Sequence, residues 1–220
     1  MRERGKQFLR TGIFLMASFA VWTGLIETVD VRIAGEPGTE IGFAALNEWF
    51  HQFTGVHMLL YAVTDWLGLV PVFICVMFGV FGCVQMLHRK SLLRVDLDIL
   101  LLGGYYLLVI LGYLLFEMFP INYRPVLIEG RLEASYPSST TLLVLSVMPT
   151  LRFQAYRRLR SMRGKHTIRV LTMLFSLFMV AGRWFSGVHW LADIIGSVLL
   201  SRGLFCMYRA AVLLCCQEER

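Results

Sequence analysis

Charged residues are scarce in this chain: 16% of its 220 residues are Asp, Glu, Lys or Arg, whereas 57% are hydrophobic. A typical soluble domain has about 25% charged residues. This shortage of charge, together with a mean hydropathy of +0.64, excludes an ordinary soluble globular domain. It indicates a polytopic membrane protein, and the length suits one integral membrane domain over residues 1–220.

Cysteine is also sparse. The five cysteines are odd in number and fall in or beside apolar runs, so they imply no disulfide framework. Glu48, His51 and His57 match no tight metal-ligand spacing, and we expect neither a metal nor another cofactor. The first apolar run lacks a convincing small-residue cleavage site, so no cleavable signal peptide is predicted.

Long apolar runs are abundant, and a spanning helix needs about 20 mostly apolar residues. We predict an all-α, polytopic bundle of six transmembrane helices, with Asp65 an unusual acid inside the second. The predicted spans are residues 8–25, 56–87, 99–116, 138–153, 168–181 and 190–212. Residues 27–40 are predicted to form a loop. Residues 41–53 are amphipathic at roughly helical spacing and are expected to lie in the membrane interface.

Basic residues are distributed unevenly between these runs. Fourteen lie in the N-terminal segment and in the gaps after spans two and four, against four in the segments on the other side. Cytoplasmic loops carry an excess of Lys and Arg, so we predict that both termini are cytoplasmic. The net charge of +6 is therefore a topology signal, and no nucleic acid is predicted as a partner. The four basic residues on the outer side are Arg32, Arg124, Arg131 and Arg183.

Polar residues gather at the outer ends of the predicted spans, where ionisable groups are costly and are functional candidates. Pro137 suits the first position of the fourth helix. Ser138, Ser139 and Thr140 would then present hydroxyls and free backbone N–H groups at a helix N-terminus, which favours anions.

Two arginines and a histidine–aspartate pair complete this outer group. Arg124 and Arg183 can each bind phosphate oxygens through a guanidinium fork. His189 and Asp193 are four residues apart, which predicts one helix face. The carboxylate can hold the imidazole in the tautomer whose other nitrogen is free to attack. The group therefore describes a bound phosphate beside a nucleophilic histidine.

Each residue alone has a simpler interpretation. His189 or Asp193 can be a helix cap or an interfacial anchor, and the seryl run can be an ordinary N-cap. Arg32 and Arg131 fit solvated loop charges. Only the combination, in order and on one side, favours the phosphate site.

The motifs resemble those of the type-two phosphatidic acid phosphatase family, which includes lipid phosphatases and vanadium haloperoxidases. The family's three motifs are Lys, six residues, Arg-Pro; then Pro-Ser-x-His; then Ser-Arg, five residues, His, three residues, Asp. The resemblance covers residues 117–193 in detail, and the third motif keeps its spacing. The matching residues are Arg124-Pro125, Pro137-Ser138-Ser139, Arg183, His189 and Asp193.

The resemblance implies that His189 is the nucleophile, forming a phosphohistidine, and that Asp193 orients it. The phosphate-binding residues implied are Arg124, Ser138, Ser139 and Arg183. Three positions depart from the pattern: Glu117 replaces lysine, Thr140 replaces histidine and Gly182 replaces serine.

The departures shape the expected activity. The family's second-motif histidine protonates the leaving group, a role worth about 10²–10⁴-fold that Thr140 cannot fill at neutral pH. Either the substrate has a good leaving group, or Glu117 or Glu133 acts as the acid. Glu117 can instead pair with Arg124 or Arg183.

The sequence therefore predicts a lipid phosphatase without cofactor, acting on a lipid phosphate or preferably a lipid diphosphate. The alternative is a catalytically impaired lipid-phosphate-binding protein or transporter. The expected location is the plasma membrane, with the active site on the extracytoplasmic face and a membrane lipid as the partner.

Overall fold

The computed structural model describes residues 2–216. Helices dominate this part of the chain, with one short hairpin and a 3-10 turn at Leu92–Arg94. The elements in order are α1 (Arg2–Thr28), β1 (Arg32–Ala34), β2 (Thr39–Ile41), α2 (Ala44–Thr54), α3 (Met58–Leu67), α4 (Leu69–Arg89), α5 (Leu97–Met118), α6 (Ser139–Arg158), α7 (Met162–Phe185) and α8 (Leu191–Cys215).

The predicted loop over residues 27–40 is wrong in detail. Helix α1 continues to Thr28, and β1 pairs antiparallel with β2, with Ile33 opposite Glu40. The fold is therefore mostly, but not purely, helical. The hairpin turn reaches the segment after α5, where the Glu36 N–H donates to the Pro125 carbonyl at 2.8 Å.

Five helical segments within residues 2–216 are long and apolar enough to cross a membrane. They are α1, α3 together with α4, α5, α7 and α8. Their outward surfaces carry exposed large hydrophobic residues, among them Phe73, Leu107 and Leu177. The protein is accordingly an integral membrane protein.

Helix α6 corresponds to the fourth predicted span but is not one of these five segments, because polar residues and Pro149 interrupt its apolar sequence. It packs against α4, α5, α7 and α8 and buries Ser146 and Thr150. The Tyr105 hydroxyl donates to the Ser146 carbonyl at 3.1 Å, and the Tyr106 and Thr150 hydroxyls lie 2.7 Å apart. Such interhelical hydrogen bonds satisfy polar groups inside a membrane bundle. The count of six crossings remains a prediction.

The second predicted span is divided at Gly68 into α3 and α4. Gly68 donates its N–H to the Asp65 carbonyl at 2.9 Å, and Asp65 lies in the last turn of α3. The predicted amphipathic segment forms α2, which buries Asn47 and Phe50 and exposes Trp49.

Helices α1 and α8 pack antiparallel along their lengths. Gly5 faces Leu214, and Gly12 faces Met207 so closely that a Cβ at either glycine would lie 2.8 Å from the opposing side chain. The start of α1 therefore lies beside the end of α8. The loops before α6 and α8 meet at the opposite end of the bundle.

Candidate active site

The segment between α5 and α6 doubles back as a hairpin that positions several site residues. The Arg124 N–H donates to the Glu133 carbonyl at 3.1 Å, and the Ser135 N–H donates to the Asn122 carbonyl at 2.8 Å. The indole Nε1 of Trp190 donates to the Tyr123 carbonyl at 2.8 Å. The start of α8 is thereby tied to this hairpin.

His189 lies in the loop before α8, and only Asp193 belongs to the helix. The prediction that the two share a helix face is therefore wrong. Asp193 is the third residue of α8, and its Oδ2 accepts from the Trp190 N–H at 2.8 Å. This is the backward cap expected of an acidic residue at that position. The cap brings Asp193 Oδ2 to 3.7 Å from His189 Nδ1, too long for a direct hydrogen bond.

Ser135 bridges the two groups. Its hydroxyl donates to Asp193 Oδ2 and lies 3.2 Å from His189 Nδ1. Asn122 Nδ2 donates to Asp193 Oδ1 at 3.2 Å. An ionised carboxylate only accepts hydrogen bonds, so the Ser135 proton points to Asp193 and the Ser135 oxygen accepts from Nδ1–H of His189. This network assigns the imidazole proton to Nδ1 and leaves Nε2 with a lone pair.

The surroundings of His189 keep it neutral. Its side chain is buried, and its Nε2 has no hydrogen-bond partner within residues 2–216. Burial, followed by the positive charge of Arg124, lowers the pKa of His189 to about 4, although Asp193 acts in the opposite direction. A neutral imidazole with a free Nε2 is the form that can attack phosphorus.

Arg124 and Arg183 are both buried against the ring of Tyr61. Their guanidinium carbons lie 5.7 Å and 4.8 Å from its centroid. Each arginine has one carboxylate: Arg124 Nε lies 3.1 Å from Glu133 Oε2, and Arg183 Nη2 donates to Asp65 Oδ1 at 2.9 Å. The Arg124–Glu133 contact is a close ion pair, but it lacks the direction of a good hydrogen bond.

Several buried donors of this pair remain without partners in the described chain. They are Arg124 Nη1 and Arg183 Nε and Nη1. A buried unsatisfied polar group costs about 1–3 kcal/mol, so their concentration near His189 favours an anion with several acceptor oxygens. A phosphate group meets that requirement.

The start of α6 adds backbone donors. Ser138 is the N-cap, and the first backbone bond of the helix runs from the Leu142 N–H to the Ser138 carbonyl at 2.9 Å. The N–H groups of the first turn therefore lack intrahelical acceptors. The Ser138 hydroxyl is buried and donates to Thr141 Oγ1 at 3.1 Å, whereas Ser139 is partly exposed. Pro137 precedes the cap, so its predicted place as the first helical residue is wrong.

Two departures from the family pattern have structural explanations. A Cβ at Gly182 would lie 2.5 Å from Thr64 Cγ2, so α3 leaves no room for serine there. The Thr140 hydroxyl accepts a hydrogen bond from Arg183 Nη2. Thr140 thus holds an arginine where the family has a histidine.

The third departure, Glu117, lies exposed in the last turn of α5. It forms no ion pair with Arg124 or Arg183 in residues 2–216, since those arginines have Glu133 and Asp65 instead. Glu117 is therefore at the edge of the cluster that the structure brings together.

A cavity of about 330 Å³ adjoins the cluster. Asp65, Ser139 and Thr140 form its polar part, and apolar residues of α4, α5 and α6 line the rest. One face of the site is thus open to an apolar chain.

Three contributors had no motif in the sequence. Asn122 and Ser135 are ordinary polar loop residues there, and Tyr61 is one aromatic among many. Asp65 was noticeable in the sequence as an acid inside an apolar run, but nothing in the sequence indicated that it would pair with Arg183.

Metal ligands are not grouped in the described chain: within residues 2–216 no three His, Cys, Asp or Glu side chains could together hold an ion. His57 Nε2 lies 2.9 Å from the Thr54 carbonyl, and the His51 ring packs 5.5 Å from that of Trp190. These two histidines are therefore held by contacts of their own.

Comparison with known proteins places these features in a family context. A family model described as PAP2 superfamily matches residues 102–214. A solved structure, described as the first transmembrane PAP2 type phosphatidylglycerolphosphate phosphatase from Bacillus subtilis, is similar with a TM-score of 0.63 and 16% identity. The alignment covers 95% of this chain and 98% of that one. No curated protein sequence matches the chain significantly.

Proposed function

This chain belongs to the PAP2 superfamily, and from that premise we propose that it is a membrane-embedded phosphohydrolase acting on a lipid phosphate or, preferentially, a lipid diphosphate. One observation carries the proposal. His189 has a free Nε2 and lies close enough to Arg124 and Arg183 to feel both positive charges, and both arginines keep buried donors without partners within residues 2–216. A nucleophile next to unsatisfied donors is the arrangement that phosphoryl transfer requires.

The reaction proceeds in two displacements. His189 Nε2 attacks phosphorus, the bond from phosphorus to the leaving oxygen breaks, and a phosphohistidine forms. Arg124, Arg183 and the N–H groups at the start of α6 stabilise the charge on the transferred oxygens. The Nδ1 proton stays on the ring, where Ser135 and Asp193 stabilise the positive imidazole. Water then attacks phosphorus, the phosphorus–nitrogen bond breaks and inorganic phosphate leaves.

The leaving group selects the substrate. Glu133 is engaged by Arg124, and Glu117 lies exposed at the edge of the site, so neither is placed to donate a proton. Thr140 is engaged by Arg183. A lipid diphosphate expels a phosphate oxygen that needs little protonation, whereas a lipid monophosphate expels an alkoxide. The diphosphate is therefore the favoured substrate.

The apolar cavity and the charge distribution set the orientation. The cavity beside Ser139 suits the first part of a lipid chain. The basic residues at the other end of the bundle support a six-crossing topology in which that end, with both termini, is cytoplasmic. The active site then faces the extracytoplasmic side of the plasma membrane, with α2 in the interface.

A second function, binding or transport of lipid phosphates without turnover, is favoured by the carboxylates in the site. Asp65 and Glu133 each neutralise one of the two arginines, which weakens attraction for a dianion. Thr140 also removes the family's acid. This alternative predicts binding without release of phosphate.

A matched pair of substrates tests the proposal. Purified protein is supplied with a lipid monophosphate and a diphosphate of the same chain, with chelator in a parallel series. We expect kcat/KM for the diphosphate to exceed that for the monophosphate by about 10²-fold or more, because general acid catalysis otherwise contributes about this factor. Chelator should have little effect on either rate. Equal rates would contradict the diphosphate preference, and binding without phosphate release would support the alternative.

The protonation of His189 can be observed directly. Because burial and Arg124 lower its pKa to about 4, the imidazole should stay neutral as the pH falls through 6.5, the ordinary histidine value. Nitrogen NMR of labelled protein should show Nδ1–H and a bare Nε2 from pH 7 down to about 5, with the signal assigned by its loss in His189→Ala. Titration of His189 near pH 6.5 would contradict its lowered pKa. The opposite tautomer, with the proton on Nε2, would contradict the Ser135 bridge.

A further inference from the structure

The end of the bundle opposite the candidate active site holds a second group of arginines. Arg152 lies about 20 Å along α6 from Ser139, and Arg209 lies about 24 Å along α8 from Asp193, at 1.5 Å per residue. Arg169 lies at the matching level of α7. Three helices that build the candidate active site therefore each bring an arginine to this end.

These arginines line a cavity of about 520 Å³. Within residues 2–216, its lining includes Arg152, Arg157, Arg169 and Arg209 but no Asp or Glu. Aromatic side chains, among them Phe153, supply the remaining walls. The cavity is therefore a basic pocket with apolar sides.

Neighbouring arginines show what a paired residue looks like in this region. Arg157 Nε lies 3.3 Å, and Arg158 Nη1 2.9 Å, from Asp98 Oδ2. Arg152, Arg169 and Arg209, in contrast, form no salt bridge within residues 2–216. Asp98 thus neutralises one part of the cluster and leaves the pocket positive.

Arg209 packs against aromatic rings and has no carboxylate partner within residues 2–216. Its guanidinium carbon lies 4.1 Å from the Phe8 ring centroid and 5.5 Å from that of Phe153. Its Nε is buried without a hydrogen-bond partner in the described chain. A topology signal requires only solvated charges near the membrane surface, as at exposed Arg160 and Arg163. It does not explain a half-buried arginine fixed between two aromatic rings.

An apolar groove continues the basic pocket between α6, α7 and α8. This second cavity, of about 310 Å³, shares Pro149 and Arg152 with the first. Its walls are mainly apolar, including Leu145, Leu177 and Val198, and Arg202 is a second arginine of this lining in addition to Arg152. A positive pocket that continues into an apolar groove is complementary to an anionic phospholipid, with the pocket matching the headgroup and the groove an acyl chain.

We propose that the basic pocket and the groove together bind one anionic phospholipid. The headgroup phosphate is held by Arg152, Arg169 and Arg209, and an acyl chain lies in the groove. Basic pockets between transmembrane helices recognise anionic headgroups in this manner. The bound lipid fastens α6, α7 and α8 to one another at the end remote from His189, and the proposal does not depend on the reaction there.

Thermal unfolding and native mass spectrometry of delipidated protein in nonionic detergent test the proposal, since detergent removes the attraction of a charged membrane surface. The probes are short-chain phosphatidylglycerol, phosphatidylcholine of equal chain length, and inorganic phosphate. We expect only phosphatidylglycerol to bind and to raise the Tm.

Paired variants separate the pocket from general charge. The double variant Arg152→Gln/Arg209→Gln should bind phosphatidylglycerol about 25-fold more weakly, at about fivefold per arginine. The control Arg160→Gln/Arg163→Gln removes the same charge from exposed positions and should change the affinity by less than about twofold. Equal weakening of phosphatidylglycerol binding in the two double variants would contradict the proposed pocket. Equal stabilisation by inorganic phosphate and by phosphatidylglycerol would contradict a lipid as the ligand.

A third variant, Leu177→Trp, leaves every charge in place and narrows the groove at an exposed position. It should weaken phosphatidylglycerol binding while the Tm without lipid stays near that of the wild type. It also carries the test if the arginine double variant does not fold. Unchanged binding to Leu177→Trp would overturn the acyl-chain part of the proposal.

Discussion

His189→Ala is expected to lower phosphate release from the preferred lipid by about 10⁴-fold or more, as removal of a covalent nucleophile does. The reason is the free Nε2, which no other group at the site replaces. Rapid quenching with a substrate labelled in the transferred phosphate should also show a protein-bound, acid-labile phosphate in the wild type and none in the variant.

The matched control is His57→Ala. His57 lies at the same end of the chain's helical bundle, but it is exposed and its Nε2 contacts the Thr54 carbonyl. The rate of phosphate release by the His57→Ala variant should stay within about threefold of the wild type, since surface substitutions are nearly neutral. Retained turnover or labelling in His189→Ala would contradict the phosphohistidine scheme. If the wild type and His189→Ala both bound lipid and neither released phosphate, the binding alternative would be supported.

Thr140→His is expected to raise turnover of a lipid monophosphate by about 10²-fold, the lower part of the range for general acid catalysis. The larger side chain can extend into the cavity of about 330 Å³ that Thr140 lines. If that cavity holds the first part of the lipid chain, as proposed, the imidazole there adjoins the leaving oxygen. Turnover of the diphosphate, which needs little protonation, should change far less. The ratio of the two kcat/KM values, measured in the same preparation, is the informative quantity.

Thr140→Asn is the control for this gain. Asparagine alters the contact with Arg183 and fills part of the same space, but it is not an acid. It should leave the monophosphate rate low. An equal gain in Thr140→Asn would assign the effect to release of Arg183 and would contradict the acid argument.

The helical elements were predictable because hydrophobic runs determine spanning helices. The family resemblance read from the motifs is confirmed. Helix α6 shows the limit of hydropathy, because hydroxyls of α5 satisfy its polar face. The Tyr106 hydroxyl of α5, for example, hydrogen-bonds to the Thr150 hydroxyl of α6. Composition does not reveal which neighbour will satisfy a buried polar residue.

The sequence identified many residues of the candidate site, but it did not predict the hydrogen bonds and ion pairs between them. Motif spacing nominated His189 and Asp193, but Ser135 lies 54 positions from the histidine that it contacts, and no local pattern predicts such a pair. Likewise, the glycine in the third motif is explained only by Thr64, a residue of a distant helix. The carboxylates of the two arginines also come from separate segments, α3 and the hairpin before α6.

The antiparallel packing of α1 on α8 has a consequence for biosynthesis. Helix α1 leaves the ribosome well before its main packing partner α8, so α1 must remain in the bilayer without that partner while the intervening segments are inserted. Helix α8 also carries Asp193, and the loop just before it carries His189. Packing of α1 on α8 and completion of the candidate active site therefore both wait for α8, and a nascent chain halted before α8 has neither.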